Sequence, residues 1–96
     1  MFVVLLRFSN HRDKAAQFMK GHNEWLQRGF DEGVFVLTGS LKPNLGGAIV
    51  AHDISLSDLQ SRVQEDPFVA AKVVDAEILE LSPSKADARL AFLLAR

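Results

Sequence analysis

The sequence feature that most constrains the fold is an apolar run over residues 2–8, in which no polar side chain precedes Arg7. Alternate side chains of a strand point to opposite faces of a sheet, so a strand without polar positions needs cover on both faces. The run therefore predicts a central strand. A chain of 96 residues forms one domain, and a domain of that size buries only about 60 to 65 % of its unfolded surface by itself.

A first helix and a β-hairpin are predicted next. Asn10 or Asp13 can cap the helix, whose apolar or small side chains form one stripe. Residues 34–41 predict a second strand, buried on both faces, and residues 42–47 form a loop. Residues 48–51 predict a third strand, antiparallel to the second because the loop between them is short. The members of the helix stripe are Ala15, Phe18, Met19, His22, Trp25, Leu26 and Gly29.

The second half of the chain predicts another amphipathic helix and a last strand. The helix begins at Asp53 or Ser55 and ends before Pro67, because proline disfavours helical backbone at the residue that precedes it. One further turn is expected at residues 68–72. Residues 73–81 predict the strand, and its glutamates indicate partial exposure or an edge position.

This order of elements predicts an α+β, ferredoxin-like βαββαβ domain over residues 1–83. Both helices would cover one face of a four-stranded antiparallel sheet, and the opposite face would be bare and apolar in a monomer. We therefore expect a homodimer packed sheet to sheet. Residues 84–96 predict a C-terminal helical tail, rich in alanine and leucine, that should dock on the domain or on a partner.

Charge and cysteine content argue against several classes of function. Eleven basic residues against twelve acidic ones leave a net charge of -1, which disfavours binding to nucleic acid or to an anionic membrane. Without cysteine the chain has no disulfide, zinc-thiolate site or cysteine nucleophile. The first apolar run is far shorter than the roughly 20 residues of a membrane span and lacks the features of a signal peptide. We therefore expect a cytoplasmic protein.

His22 and Asp66 are the candidate catalytic residues. The helix stripe directs His22 inward, and Asp66 lies at the Asp-Pro step that ends the second helix. Both helices are expected on one sheet face, where the carboxylate can orient the imidazole, fix its tautomer and increase its basicity for proton transfer. Two structural interpretations stay open: a core histidine bonded to a backbone carbonyl, and an aspartate bonded to amides of its own turn.

Four further residues are candidates for binding a small molecule. Gly39 lacks a side chain that would block a ligand and Ser40 can donate a hydrogen bond, although both also suit a bend in a strand. Trp25 and the phenylalanines, Phe68 among them, would line a pocket or fill the core. The other histidines have no partner at a metal-binding spacing, so neither a metal nor a cofactor is expected.

Several short motifs follow one another along the chain, namely His22-Asn23-Glu24-Trp25-Leu26, Gly33, Thr38-Gly39-Ser40-Leu41, Gly46-Gly47-Ala48-Ile49-Val50 and Asp66-Pro67-Phe68. In order and spacing they resemble those of the YciI-like (YCII-related) proteins, from residue 2 to about residue 83. The resemblance implies a dimeric α+β barrel, in which ferredoxin-like protomers pair through their sheets. It also implies a His-Asp active site, which falls on His22 and Asp66, with Gly39 shaping the pocket. Ser40 departs from the family pattern, since many members have proline there.

Two classes of function are compatible with these features. The first is a cofactor-independent enzyme of small cyclic or aromatic-derived metabolites, a lyase or isomerase in which His22 transfers a proton. The resemblance adds that characterised members include a dehydrochlorinase of a chlorinated hydroxyquinol. The alternative is a non-catalytic binding or accessory module whose dimer holds a small ligand or a partner. A third interpretation, His22 as an axial haem ligand, has no second feature to support it.

Overall fold

A computed structural model describes residues 1–94 of the chain. Its strands and helices follow the predicted order, with one additional 3-10 turn before the first long helix. In chain order they are β1 (Phe2–Phe8), a 3-10 turn (Arg12–Lys14), α1 (Ala15–Asp31), β2 (Phe35–Leu41), β3 (Gly46–Ala51), α2 (Leu56–Gln64), α3 (Pro67–Ala70), β4 (Val74–Glu80) and a 3-10 segment (Ala88–Leu94).

The strands form a four-stranded sheet in the order β2-β3-β1-β4. Every neighbouring pair is antiparallel, and Val4 in β1 lies opposite Ile49 in β3 and Ile78 in β4. The apolar first strand is therefore central, the β2–β3 hairpin is formed, and β4 lies at an edge as its glutamates indicated. The α+β, ferredoxin-like fold is confirmed.

The helices cover one face of the sheet and enclose the core. Alternate residues of β1 are buried on that face, together with Trp25 of α1 and Leu59 and Val63 of α2. The opposite face is open. Leu37 on β2 is 62 % exposed and Leu79 on β4 is 44 % exposed, so the prediction that the second strand is buried on both faces is wrong for a single protomer.

Two predicted element boundaries differ from the structure. Neither Asn10 nor Asp13 caps α1: Lys14 occupies the N-cap position without a side-chain hydrogen bond, because the preceding 3-10 turn continues directly into the helix. Gly46 and the glycine after it belong to β3 rather than to the loop. A Cβ at Gly46 would overlap the Leu6 carbonyl oxygen, so only glycine allows β3 to pair with β1 there.

The start of α2 agrees with the sequence prediction, and the tail forms 3-10 turns. Ser55 caps α2, its hydroxyl oxygen accepting from the Asp58 amide at 3.1 Å. The tail is a 3-10 segment kinked at Leu90 instead of an α-helix, and the Phe92 ring lies edge-on against His52 at 5.3 Å. Residues 95–96 of the predicted tail lie outside the described residues. None of the helices between residues 1 and 94 is long and apolar enough to cross a membrane.

Candidate functional site

The site is built around a hydrogen bond between His22, in the middle of α1, and Asp66, between α2 and α3. His22 Nδ1 lies 2.8 Å from Asp66 Oδ1. The aspartate side chain is fully buried, and the histidine side chain is 12 % exposed. A short, charge-assisted bond of this kind compensates a carboxylate that has been removed from water. The middle of α1 and the N-cap of α3 thus supply one residue each to a buried pair.

A close approach of α1 to α3 makes this bond possible. Gly21 precedes the histidine, and a Cβ at that position would lie 3.0 Å from Pro67 Cγ, tighter than ordinary van der Waals contact. A larger residue at this position would require Pro67 to shift by a few tenths of an ångström. Gly21 was not identified from the sequence, because a glycine on a helix carries no apolar signal of its own.

Asp66 also caps α3. Its Oδ1 accepts from the Phe68 amide at 3.0 Å, and Pro67 occupies the first helical position with no amide hydrogen to satisfy. Asp66 therefore does both: it accepts a hydrogen bond from an amide of its own turn, and it pairs with His22. Asp66 Oδ2 is buried without a hydrogen-bond partner among the described residues. The cap fixes the carboxylate in a single orientation toward the imidazole.

The imidazole is fixed on its faces as well. Phe68 stacks on the His22 ring with centroids 4.1 Å apart and planes 6° from parallel, and Trp25 lies 6.0 Å away. Because the carboxylate accepts a hydrogen bond at Nδ1, the proton of a neutral ring resides there and Nε2 carries the lone pair. Nε2 has no hydrogen-bond partner in the described part of the chain. This nitrogen is therefore able to accept a hydrogen bond or a proton.

A cavity of about 290 Å³ lies beside the His22 ring, between α1, α3 and the β1, β2 and β3 strands. Most of its wall is apolar. The strand register places Thr38 opposite Ile49 and Ser40 opposite Gly47, on the face that the helices cover. Four polar side chains line it: His22, Asn23, Thr38 and Ser40. The apolar lining includes Leu6, Phe8, Met19, Leu26, Ile49, Phe68 and Val74.

Three of the predicted ligand-binding residues line this cavity, and the fourth does not. Ser40 and Phe68 contribute side chains to the wall, and Gly39 also borders it. Trp25 is 1 % exposed and belongs to the core, where its indole Nε1 donates to the Arg62 carbonyl oxygen at 2.9 Å. The indole therefore supports the His22 ring from behind instead of facing a ligand.

Gly39 was expected to leave room for a ligand in the cavity, and the structure does not support that reason. Gly39 pairs with Ala48, so its missing side chain would point to the open face of the sheet, not into the cavity. A Cβ built there meets nothing within 4 Å. Within the protomer, glycine at this position is not required to make room for a ligand.

Asn23 and Thr38 line the cavity but were not identified as site residues from the sequence. Asn23 follows His22 directly, and helical periodicity assigns such a neighbour to the solvent side. His11 and His52 do not line the cavity. No group of three or more His, Cys, Asp or Glu side chains that could hold a metal ion occurs between residues 1 and 94.

Comparisons with known proteins agree with the fold. The sequence profile of the YCII-related domain matches residues 1–82. A solved structure, the 5-chloro-2-hydroxyhydroquinone dehydrochlorinase of Burkholderia phenoliruptrix in complex with 2,5-dihydroxybenzoquinone, superposes with a TM-score of 0.68 at 15 % sequence identity. The match covers 84 % of this chain and 93 % of the other. No curated protein sequence matches significantly.

Proposed function

The chain belongs to the YCII-related domain family, and from this premise we propose that it is a small-molecule enzyme in which His22 transfers a proton and Asp66 orients the imidazole. The observation that carries the proposal is the buried bond from His22 Nδ1 to Asp66 Oδ1 beside a cavity. Proton transfer by such a positioned side chain typically contributes about 10²- to 10⁴-fold to a rate.

The pair has the parts that general acid–base chemistry requires. His22 Nε2 accepts a proton from a bound molecule, and the resulting imidazolium is stabilised by the buried Asp66 carboxylate. The fixed ring holds that nitrogen in one place, so the geometry needs no rearrangement during the reaction. Returning the proton to a different atom of the same molecule completes an isomerisation. If instead a neighbouring bond breaks and its electron pair leaves with the departing group, the reaction is an elimination.

The second of these reactions is the type for which the structural neighbour is named. The neighbour is named as a dehydrochlorinase, and loss of hydrogen chloride is an elimination that consumes neither oxidant nor reductant. At 15 % identity the neighbour shows the fold alone, so the reaction is proposed on the strength of the His22–Asp66 geometry. We therefore propose lyase or isomerase chemistry, of the dehydrochlorinase type, that needs no cofactor.

We also propose that two protomers pair through the open face of the sheet. Leu37, Leu79 and Leu81 are between 44 % and 62 % exposed there, and the small residues Gly39 and Ala48 leave the middle of β2 and β3 flat. An exposed apolar sheet of this kind is an interaction surface in most soluble domains. Pairing would add apolar core that a chain of 96 residues lacks by itself.

The test is release of chloride from 5-chloro-2-hydroxyhydroquinone by the purified protein, the wild type being compared with His22→Asn. The asparagine amide can still donate to Asp66 Oδ1, so the fold is retained while the base is lost. We expect at least about a 100-fold loss of kcat/KM. His11→Asn is the matched control and should retain the wild-type rate. An equal rate in His22→Asn contradicts the proposal.

The same experiment distinguishes an enzyme from the alternative, a non-catalytic binding or accessory module. A binding or accessory module would bind the ring compound in stoichiometric amounts without any turnover above the uncatalysed rate. The apolar walls of the cavity suit such a role equally well. Binding without chloride release, unchanged in His22→Asn, would favour the module.

A further inference from the structure

We propose that Phe68 is a positioning residue for His22. The face of its ring fixes the plane of the imidazole, and thereby the direction in which the Nε2 lone pair points. This role rests on the proposed function, because the direction of the lone pair matters only if His22 transfers a proton. It is separate from the contribution that Phe68 makes to the wall of the cavity.

The hydrogen bond to Asp66 does not by itself determine the tilt of the His22 ring. It joins one ring atom, Nδ1, to one carboxylate oxygen, Oδ1, at 2.8 Å. The torsion about the Cβ–Cγ bond of a histidine has a broad energy minimum, and a hydrogen bond weakens steeply only when its angle falls below about 120°. The ring could therefore tilt while the bond to Asp66 persists, unless a second contact holds its plane.

The tilt of the ring decides whether Nε2 can take a proton. The lone pair of this nitrogen lies in the plane of the imidazole, so it turns with the ring. Proton transfer requires the two heavy atoms to approach to about 2.6 to 3.2 Å, with the lone pair directed at the proton. A ring that tilts freely holds this alignment for only part of the time.

Phe68 supplies the second contact by lying flat against the imidazole. The two ring centroids are 4.1 Å apart and the two planes are 6° from parallel. Trp25 constrains the plane less, because its ring is 6.0 Å away and inclined by 28°. Phe68 is itself 5 % exposed and packed in the core, so its ring cannot swing away without disturbing close-packed neighbours. The imidazole is thereby held parallel to a fixed surface.

The two constraints on the imidazole come from the same short turn of the chain. The Phe68 amide donates at 3.0 Å to Asp66 Oδ1, the oxygen that also faces His22 Nδ1. Pro67, which lies between them, begins α3, and its Cγ would be 3.0 Å from a Cβ placed on Gly21, the neighbour of His22. The carboxylate and the phenyl ring are therefore carried by one rigid turn that is packed against α1, and this turn defines both the bond direction and the plane of the imidazole.

Phe68→Leu tests this role, because it removes the aromatic face and keeps both an apolar side chain and the amide that donates to Asp66. We expect kcat for chloride release from 5-chloro-2-hydroxyhydroquinone to fall about tenfold or more, since the lone pair is no longer held in line. KM should stay within about twofold of the wild-type value. In ¹³C relaxation measurements on the ligand-free protein, the order parameter of the His22 Cε1–H bond should fall from about 0.85 toward about 0.6.

Two further variants complete the experiment. Phe68→Met also removes the aromatic face while it keeps an apolar side chain, and it repeats the test if the leucine variant does not fold. Phe30→Leu is the matched control for loss of an aromatic contact elsewhere, because Phe30 packs edge-on against Phe35 at 6.2 Å and does not line the cavity. It should retain the wild-type kcat and the wild-type order parameter of His22.

Failure of the positioning role and failure of the proposed function give different results. A raised KM with unchanged kcat would show that Phe68 only lines the cavity, and a lower order parameter with unchanged kcat would show that the fixed plane is not needed; both overturn the role. An order parameter of His22 that does not change in the Phe68 variants also refutes it, whatever the turnover. If the wild type releases no chloride, the proposed function fails for this compound, while the relaxation measurement still decides whether Phe68 fixes the ring.

Discussion

Replacing His22 by alanine should destabilise the protein far more than the loss of a largely buried ring alone would, because the substitution leaves a buried carboxylate without its partner. Asp66 is fully buried and its Oδ2 has no partner among residues 1–94. After the substitution only the Phe68 amide would donate to the carboxylate. Removing one partner of a buried pair typically costs about 3 to 5 kcal/mol, and the lost stack on Phe68 adds about 0.5 to 1.5 kcal/mol.

The magnitude is large enough for equilibrium unfolding in urea, followed by far-UV circular dichroism at a fixed protomer concentration. His22→Asn is the matched variant, because its amide nitrogen occupies the position of Nδ1 and can donate to Asp66. It should cost only about 1 to 2 kcal/mol, since the hydrogen bond to Asp66 is kept while the stacking on Phe68 is lost.

A double variant separates the energetic cost of the unpaired Asp66 charge from the cost of the cavity left by the His22 ring. In His22→Ala with Asp66→Asn the stranded group is neutral, and its amide oxygen still accepts from the Phe68 amide. The double variant should therefore be more stable than His22→Ala alone. Two results would refute the reasoning: equal stability of His22→Ala and His22→Asn within about 0.5 kcal/mol, or additive effects of the two substitutions in the double variant.

Three further predictions concern the fold around the site. Gly29→Ala should cost more than about 1 kcal/mol in urea unfolding, because a Cβ would overlap the buried Phe35 ring; unchanged stability would show that the ring has room to move. Ser55→Ala should cost about 1 kcal/mol by removing the acceptor of the Asp58 amide, and a loss below a few tenths would mean that another group caps α2. Leu37→Lys should convert a dimer into monomers in size-exclusion chromatography with light scattering, since this side chain is 62 % exposed in one protomer. A species of monomer mass in both proteins would rule out pairing through this face.

The order of the elements could be predicted because each carries a strong local signal. The apolar run of β1 needs cover on both faces, and Ser55 and Pro67 mark the start and the end of α2. His22 and Asp66 lie 44 residues apart in the chain. Their proximity could be predicted only because both helices must cover the same face of one sheet.

The predictions that were wrong or incomplete concern features that depend on tertiary contacts. Only Phe35 of β2 is buried in the protomer, which the apolar composition of the strand does not reveal. Trp25 and Phe68 are both large aromatic residues near His22, yet only the second faces the cavity. Helical spacing could not distinguish them. Asn23 was missed because it is an exposed residue of α1, as helical periodicity indicates, and still borders the cavity.

The tail shows that local propensity does not determine the type of helix. Alanine and leucine favour a helix locally, but residues 88–94 form a 3-10 segment with non-helical backbone at Leu90. Phe92 makes its ring contact with His52 while Leu90 remains 47 % exposed. Propensity predicted the presence of helical turns there but not their type.

The central claim is that Asp66 holds His22 with a proton on Nδ1 and an available lone pair on Nε2. Long-range ¹H–¹⁵N correlation spectra of the neutral imidazoles measure this directly, because the two tautomers give distinct nitrogen shifts. His11 and His52 provide internal controls, since their rings form no hydrogen bond within residues 1–94. We predict the Nδ1–H pattern for His22 in the wild type, the Nε2–H pattern for the two controls, and a change of His22 to the control pattern in Asp66→Ala. A wild-type His22 that shows the same tautomer as His11 and His52 would contradict the account.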